Sequence, residues 1–86
     1  MSAVAKILLK LGARDLKYEF TNGDMMVMTM ASLREVNSAN VATGTIKTIA
    51  DHCRHKNESA YQFNLDDVVR ISDPKSGVAL FEKSDG

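Results

Sequence analysis

The pair Asn22-Gly23 constrains this chain more than any other feature. Before it, Leu16-Lys-Tyr-Glu-Phe20 alternates apolar and charged residues, so Leu16, Tyr18 and Phe20 share one face of a strand. The linker is Thr21-Asn-Gly-Asp24, and Asn-Gly tolerates the positive φ angles that tight hairpin turns demand. Met25-Met-Val-Met-Thr-Met30 then returns as the partner strand. A chain with this unit is committed to an antiparallel sheet.

The remaining segments are read around that hairpin. Ala3 to Leu11 has two readings. As a helix it is capped by Ser2, ends at Gly12 and carries Val4, Ile7, Leu8 and Leu11 as one stripe. As a strand it places Ala5, Ile7, Leu9 and Leu11 on one face. Ser32-Leu-Arg-Glu35 fits a capping box. Asn37-Ser-Ala-Asn40 interrupts any helix there. The spacing of Ile46, Ile49, Ala50 and Cys53 then predicts the main helix, from Val41 to about His55, facing the sheet. Gly44 weakens that helix, and within Ala42-Thr-Gly-Thr45 it either admits a closely approaching partner or lies at a helix start.

Towards the end, Tyr61-Gln-Phe-Asn-Leu65 alternates, and Val68-Val-Arg-Ile71 continues or restarts a strand after Asp66-Asp67. Asp73-Pro-Lys-Ser-Gly77 is a turn, because proline presets φ and glycine accepts a positive one. Val78 to Glu82 is the return strand. The expected fold is α+β: a small two-layer domain with an antiparallel sheet of about four strands in two hairpins, packed on one main helix, plus an N-terminal helix or strand. At 86 residues, residues 1–86 form a single domain.

Composition narrows the function classes. Apolar residues make up 44% and charged residues 26%, which excludes collagen, a disordered polyampholyte and a membrane span. A lone cysteine, Cys53, forms no intrachain disulfide and fits a reducing compartment. Lys6 and Lys10 interrupt the first apolar stretch, which is too short for a signal peptide. Cytoplasmic residence is the expectation. The 11 basic and 11 acidic residues cancel. Residues 1–56 carry eight basic and five acidic groups, and residues 57–86 carry three and six. That split is milder than in most nucleic-acid modules.

The candidate chemistry is sparse. Asp51 and His55 share a helix face at i,i+4 spacing, but zinc wants four ligands, or three plus water. Cys53 falls on the apolar stripe, and adjacent His52 points elsewhere, so no nucleophile pair forms. The simpler reading is a charge pair at a solvated helix end beside a buried thiol. Asp66 and Asp67 would flank a strand on opposite faces, or in a loop would suit Mg²⁺; a turn or cap explains them more simply. No metal, cofactor, small-molecule substrate or membrane association is expected.

The methionines are the unusual feature. Met26, Met28 and Met30 share one strand face, and Met25, Val27 and Thr29 share the other, so both faces are largely apolar. Such a strand is either core on both sides or a contact surface, and methionine suits surfaces that adapt to partners. The expectation is therefore a small non-enzymatic protein-interaction module. It would be a regulator or inhibitor that docks on a larger protein or self-associates, for instance as a homodimer, through Met25, Met26, Met28 and Met30 or a sheet edge. The alternative is a nucleic-acid-binding regulator using Lys6, Lys10, Arg14, Lys17, Lys47, Arg54 and Lys56 as a basic face.

Overall fold

In the computed structural model, which describes residues 3–12, 14–50 and 59–83, one helix precedes one antiparallel sheet of six strands. The elements are α1 (Ala3–Leu11), β1 (Asp15–Phe20), β2 (Met25–Val36), β3 (Ala39–Ile49), β4 (Ala60–Asn64), a 3-10 turn (Leu65–Asp67), β5 (Val68–Ser72) and β6 (Ala79–Glu82). Their order across the sheet is β4-β3-β2-β1-β5-β6.

The first segment is helical, as its leucine, lysine and alanine content favours. Val4, Ala5 and Leu8 are buried, while Lys6, Leu9 and Lys10 face outward. Gly12 ends the helix at φ 73°, and its N–H donates to the Leu8 carbonyl at 3.1 Å. The first hairpin forms where Asn22-Gly23 places it, with Leu16 opposite Met28 and Tyr18 opposite Met26. Asn22 Oδ1 accepts from the Asp24 N–H at 2.9 Å, and Asn22 Nδ2 donates to the buried Asp24 carboxylate at 3.0 Å.

The expected main helix is replaced by a strand over its first part. Val41 to Ile49 lies in β3, paired with β2 and β4, and residues 51–58 fall outside the described residues. Two causes are visible. Val41, Thr43, Thr45, Ile46, Thr48 and Ile49 are β-branched and suit a pleated surface. Asn37 and Ser38 both hold positive φ, 52° and 66°, and make the two-residue turn between paired Val36 and Ala39. The expected capping box, Ser32 to Glu35, is simply the far half of β2. The sheet thus has six strands rather than about four. The helix that packs with it is the N-terminal one.

Four irregularities in strand register bend this sheet. Between β2 and β3, Val27 faces Thr48 but Met28 faces Ile46, so Lys47 is the extra residue; further on, Ala31 is extra on β2. In a flat sheet β1 and β4, three strands apart, would be separated by roughly 14 Å. Instead the Phe63 ring lies 5.6 Å from Tyr18 and 5.2 Å from Phe20, and Tyr61 lies 5.3 Å from Phe20. The sheet therefore curls until β4 faces β1 across the core. Leu16, Tyr18, Phe20, Met26, Met28, Ala42, Phe63, Leu65, Val68 and Ile71 fill the curl, and Val4, Ala5, Leu8 and Leu11 of α1 join the same cluster. Gly44 is closely covered by β2, since a Cβ there would lie 2.8 Å from Met28 Sδ and 3.1 Å from Met28 Cβ. The close approach expected at this glycine is made by the chain's own methionine.

Candidate functional site

Met26 and Met28 are core residues, 2% and 0% exposed. As a contact surface the methionine quartet is reduced to Met25 and Met30, both half-buried. Met25 lines a shallow apolar pocket of about 200 Å³ where β2 begins beside the end of β3, with Lys17, Met26, Val27, Thr48, Ile49 and Ala50. Beside it, sharing Val27 and Thr48, is a more polar cleft of about 580 Å³ lined by Arg14, Asp15, Lys47, Asp73, Pro74 and Lys75.

The bulge at Lys47 builds this face. Ile46 and Ile49 both pack against the core, which strict alternation would forbid. The extra residue resets the phase, so adjacent Lys47 and Thr48 both line the outer cleft. Opposite them, Arg14 Nη2 donates to Asp73 Oδ2 at 3.0 Å. Asp73 Oδ1 accepts from the backbone N–H groups of Lys75 (2.8 Å) and Ser76 (3.2 Å). Those backbone donors, and then Arg14, hold the Asp73 carboxyl below the ordinary aspartate value. Asp15 accepts a short hydrogen bond from Thr29 Oγ1.

Of the seven basic residues expected on one face, the structure brings together Arg14, Lys17 and Lys47 around these adjoining hollows. Lys6 and Lys10 are exposed on α1, and Arg54 and Lys56 lie outside the described residues. Lys75 joins the group, drawn in by the Asp73 turn; its place in Asp73-Pro-Lys-Ser-Gly77 was legible as a turn but not as a cleft wall. On the neighbouring strands Arg70 Nε stands 3.7 Å from Glu19 and 3.6 Å from Glu82, charge contacts too long for hydrogen bonds.

The Asp51–His55 cluster also lies outside the described residues. Asp66 and Asp67 are in the 3-10 turn, where Asn64 Oδ1 accepts from the Asp66 N–H at 2.9 Å. Among the described residues no three His, Cys, Asp or Glu side chains gather in a metal-binding arrangement. No described helix is long and apolar enough to cross a membrane.

The sheet's edges are the other exposed feature with recognition chemistry. Among the described residues β4 pairs with β3 alone. The Ile46 N–H donates to the Ser59 carbonyl at 3.0 Å. Antiparallel alternation then makes Gly44/Tyr61 and Ala42/Phe63 the hydrogen-bonded pairs, and the backbone groups of Ala60, Gln62 and Asn64 point off the sheet. Ala60-Tyr-Gln-Phe-Asn64 has no charge and no proline, the devices that commonly block an edge. On β2, pairing with β1 stops at Thr29, so among the described residues the stretch from Met30 to Val36 has β3 as its one neighbouring strand.

No protein-family model, curated protein or solved structure matches this chain.

Proposed function

We propose that this protein is a non-enzymatic interaction module that takes an extended segment of another polypeptide, or of a second copy of itself, onto the open edge of β4. The observation that carries the reading is that edge: uncharged, free of proline, and presenting the backbone of Gln62 at its centre. Strand addition there draws affinity from backbone hydrogen bonds, and the side chains along β4 supply selectivity. Met25 and Met30 lie elsewhere on the sheet and would contribute only to a larger footprint.

Gln62→Pro tests it. The substitution removes an outward N–H and leaves the bonds to β3 in place. Tagged wild type and variant are used to capture protein from lysate of the source cells, with and without nuclease. Self-association is followed in parallel by sedimentation. A stoichiometric partner, or a dimer, present with wild type and lost with Gln62→Pro at unchanged circular dichroism supports the proposal. Equal recovery by both proteins refutes it. The second reading, a nucleic-acid-binding regulator, draws on the gathering of Arg14, Lys17 and Lys47; capture that nuclease abolishes would favour it over the first.

A further inference from the structure

The outer cleft points to a ligand of its own. Its cationic groups come from separate parts of the chain: Arg14 ahead of β1, Lys47 from the β3 bulge and Lys75 from the β5–β6 turn, with Lys17 of β1 in the adjoining pocket. Two carboxylates share the walls, and each is accounted for. Asp73 holds Arg14 and two backbone N–H groups. Asp15 accepts from Thr29 Oγ1, and Lys17 lies two residues along on the same strand face. The ammonium groups of Lys47 and Lys75 are left without an anionic partner among the described residues.

Across the two adjoining hollows four basic residues face two carboxylates, a formal balance of +2 that matches a phosphate monoester, about −1.5 to −2 at neutral pH, better than a single carboxylate. The site is not a bare charge patch. Thr48, next to Lys47 in the chain, also lines the cleft and carries a hydroxyl, and the Asp73 turn fixes the backbone of Lys75. The cleft's volume of about 580 Å³ lies within the range of small-molecule sites. It shares Val27 and Thr48 with the apolar pocket beside Met25, where a flat, weakly polar group can rest against the Met25 and Val27 side chains.

We propose that this cleft binds a nucleotide-sized phosphate monoester, with the phosphate between Lys47, Lys75 and Thr48 and the ring system on the shelf of Met25 and Val27. The ligand is distinct from a strand on the β4 edge, and the two sites are separately testable.

Amide chemical shifts are followed at low salt while inorganic phosphate, adenosine, adenosine monophosphate or an octathymidylate is added. Adenosine monophosphate is expected to move amides near 14–17, 47–50 and 73–76. Its affinity should exceed that of inorganic phosphate by about tenfold, the contribution of the shelf. Lys47→Gln with Lys75→Gln should weaken it by about tenfold or more. Lys6→Gln with Lys10→Gln, on α1 and away from the cleft, should leave it unchanged. Equal binding of phosphate and the nucleotide would overturn the shelf and with it the ligand class. Absence of localised shifts, or equal loss in the two double variants, would overturn the site. So would an octathymidylate that binds tighter than the monomer and depends on Lys6 and Lys10, because the charge of the whole face would then be the determinant.

Discussion

The hydroxyl of Tyr18 gives a sharp test of how the core is built. Its side chain is fully buried on the inner face of β1, with the ring stacked on Phe20 at 6.4 Å and edge-on to Phe63 at 5.6 Å. Its hydroxyl has no hydrogen-bond partner among the described residues. Burial raises the phenol pKa from 10.0 to about 12. Tyr18→Phe keeps both ring contacts and removes the unsatisfied group, so it should stabilise the protein by about 1 kcal/mol at pH 7. The alkaline behaviour follows by linkage. Below pH 10 neither state is ionised at this residue and its contribution is constant. Between pH 10 and about 12 the unfolded chain loses the proton while the folded chain keeps it. Stability therefore falls as pH rises, by about 2–3 kcal/mol in all. The assay is urea unfolding at pH 7 and at steps from 9.5 to 12. It is paired with ultraviolet titration of Tyr61→Phe, which leaves Tyr18 as the only phenol. The Tyr18→Phe variant should lack this part of the alkaline loss. Ionisation of folded Tyr18 near pH 10, or a Tyr18→Phe variant less stable than wild type by more than about 1 kcal/mol, would mean that the hydroxyl is solvated or bonded and the reasoning is wrong.

Other substitutions probe the curl and its turns. Gly44→Ala should cost about 1–3 kcal/mol in urea unfolding, because the new methyl meets Met28 Sδ and Cβ, and a Met28→Ala background should remove the part due to Sδ and leave the contact with Cβ. Met28→Ala alone should cost about 2–5 kcal/mol, whereas Met25→Ala, half-buried on the outer face, should cost clearly less. Ser38→Gly should raise stability by about 0.5–1 kcal/mol, since Ser38 holds φ 66° and glycine accepts that conformation without strain. Asp73, whose carboxyl is held below its ordinary pKa, should contribute stability at neutral pH that is lost as pH falls through its folded pKa. Carboxyl NMR titration of Arg14→Ala should recover only part of the shift, because the N–H groups of Lys75 and Ser76 remain.

Local chemistry made some of this structure readable from the residues alone. Asn22-Gly23 announced its hairpin, the alternation of Tyr61, Phe63 and Leu65 announced β4, and Asp73-Pro-Lys-Ser-Gly77 announced the last turn. The α1 stripe was visible but balanced against a strand reading, and only packing with the sheet decides it. The misread segment is instructive. Ile46 and Ile49 are three apart, a helical spacing, yet they share a face because a bulge at Lys47 inserts one residue into a strand. A bulged strand and a helix turn leave the same local pattern, and the choice is made by β2 alongside. The outer cleft was legible only as a list of basic residues. Its assembly depends on that bulge and on a turn that folds Lys75 towards β3, which no local pattern encodes. The β4 edge follows from strand order, a property of the whole sheet.

The bulges also solve a problem that the methionines create. Met26, Met28 and Met30 repeat at the period of a strand, so sliding β2 by two residues against β1 or β3 would set methionine in place of methionine. Hydrophobic pattern alone barely distinguishes the two alignments. An odd residue cannot be moved without moving its notch, and β2–β3 has such notches at Lys47 and Ala31, with a turn at Asn37-Ser38 that works only in one phase. The hairpin behaves as a keyed joint: its teeth are nearly identical, and the irregularities between them leave it one way to close.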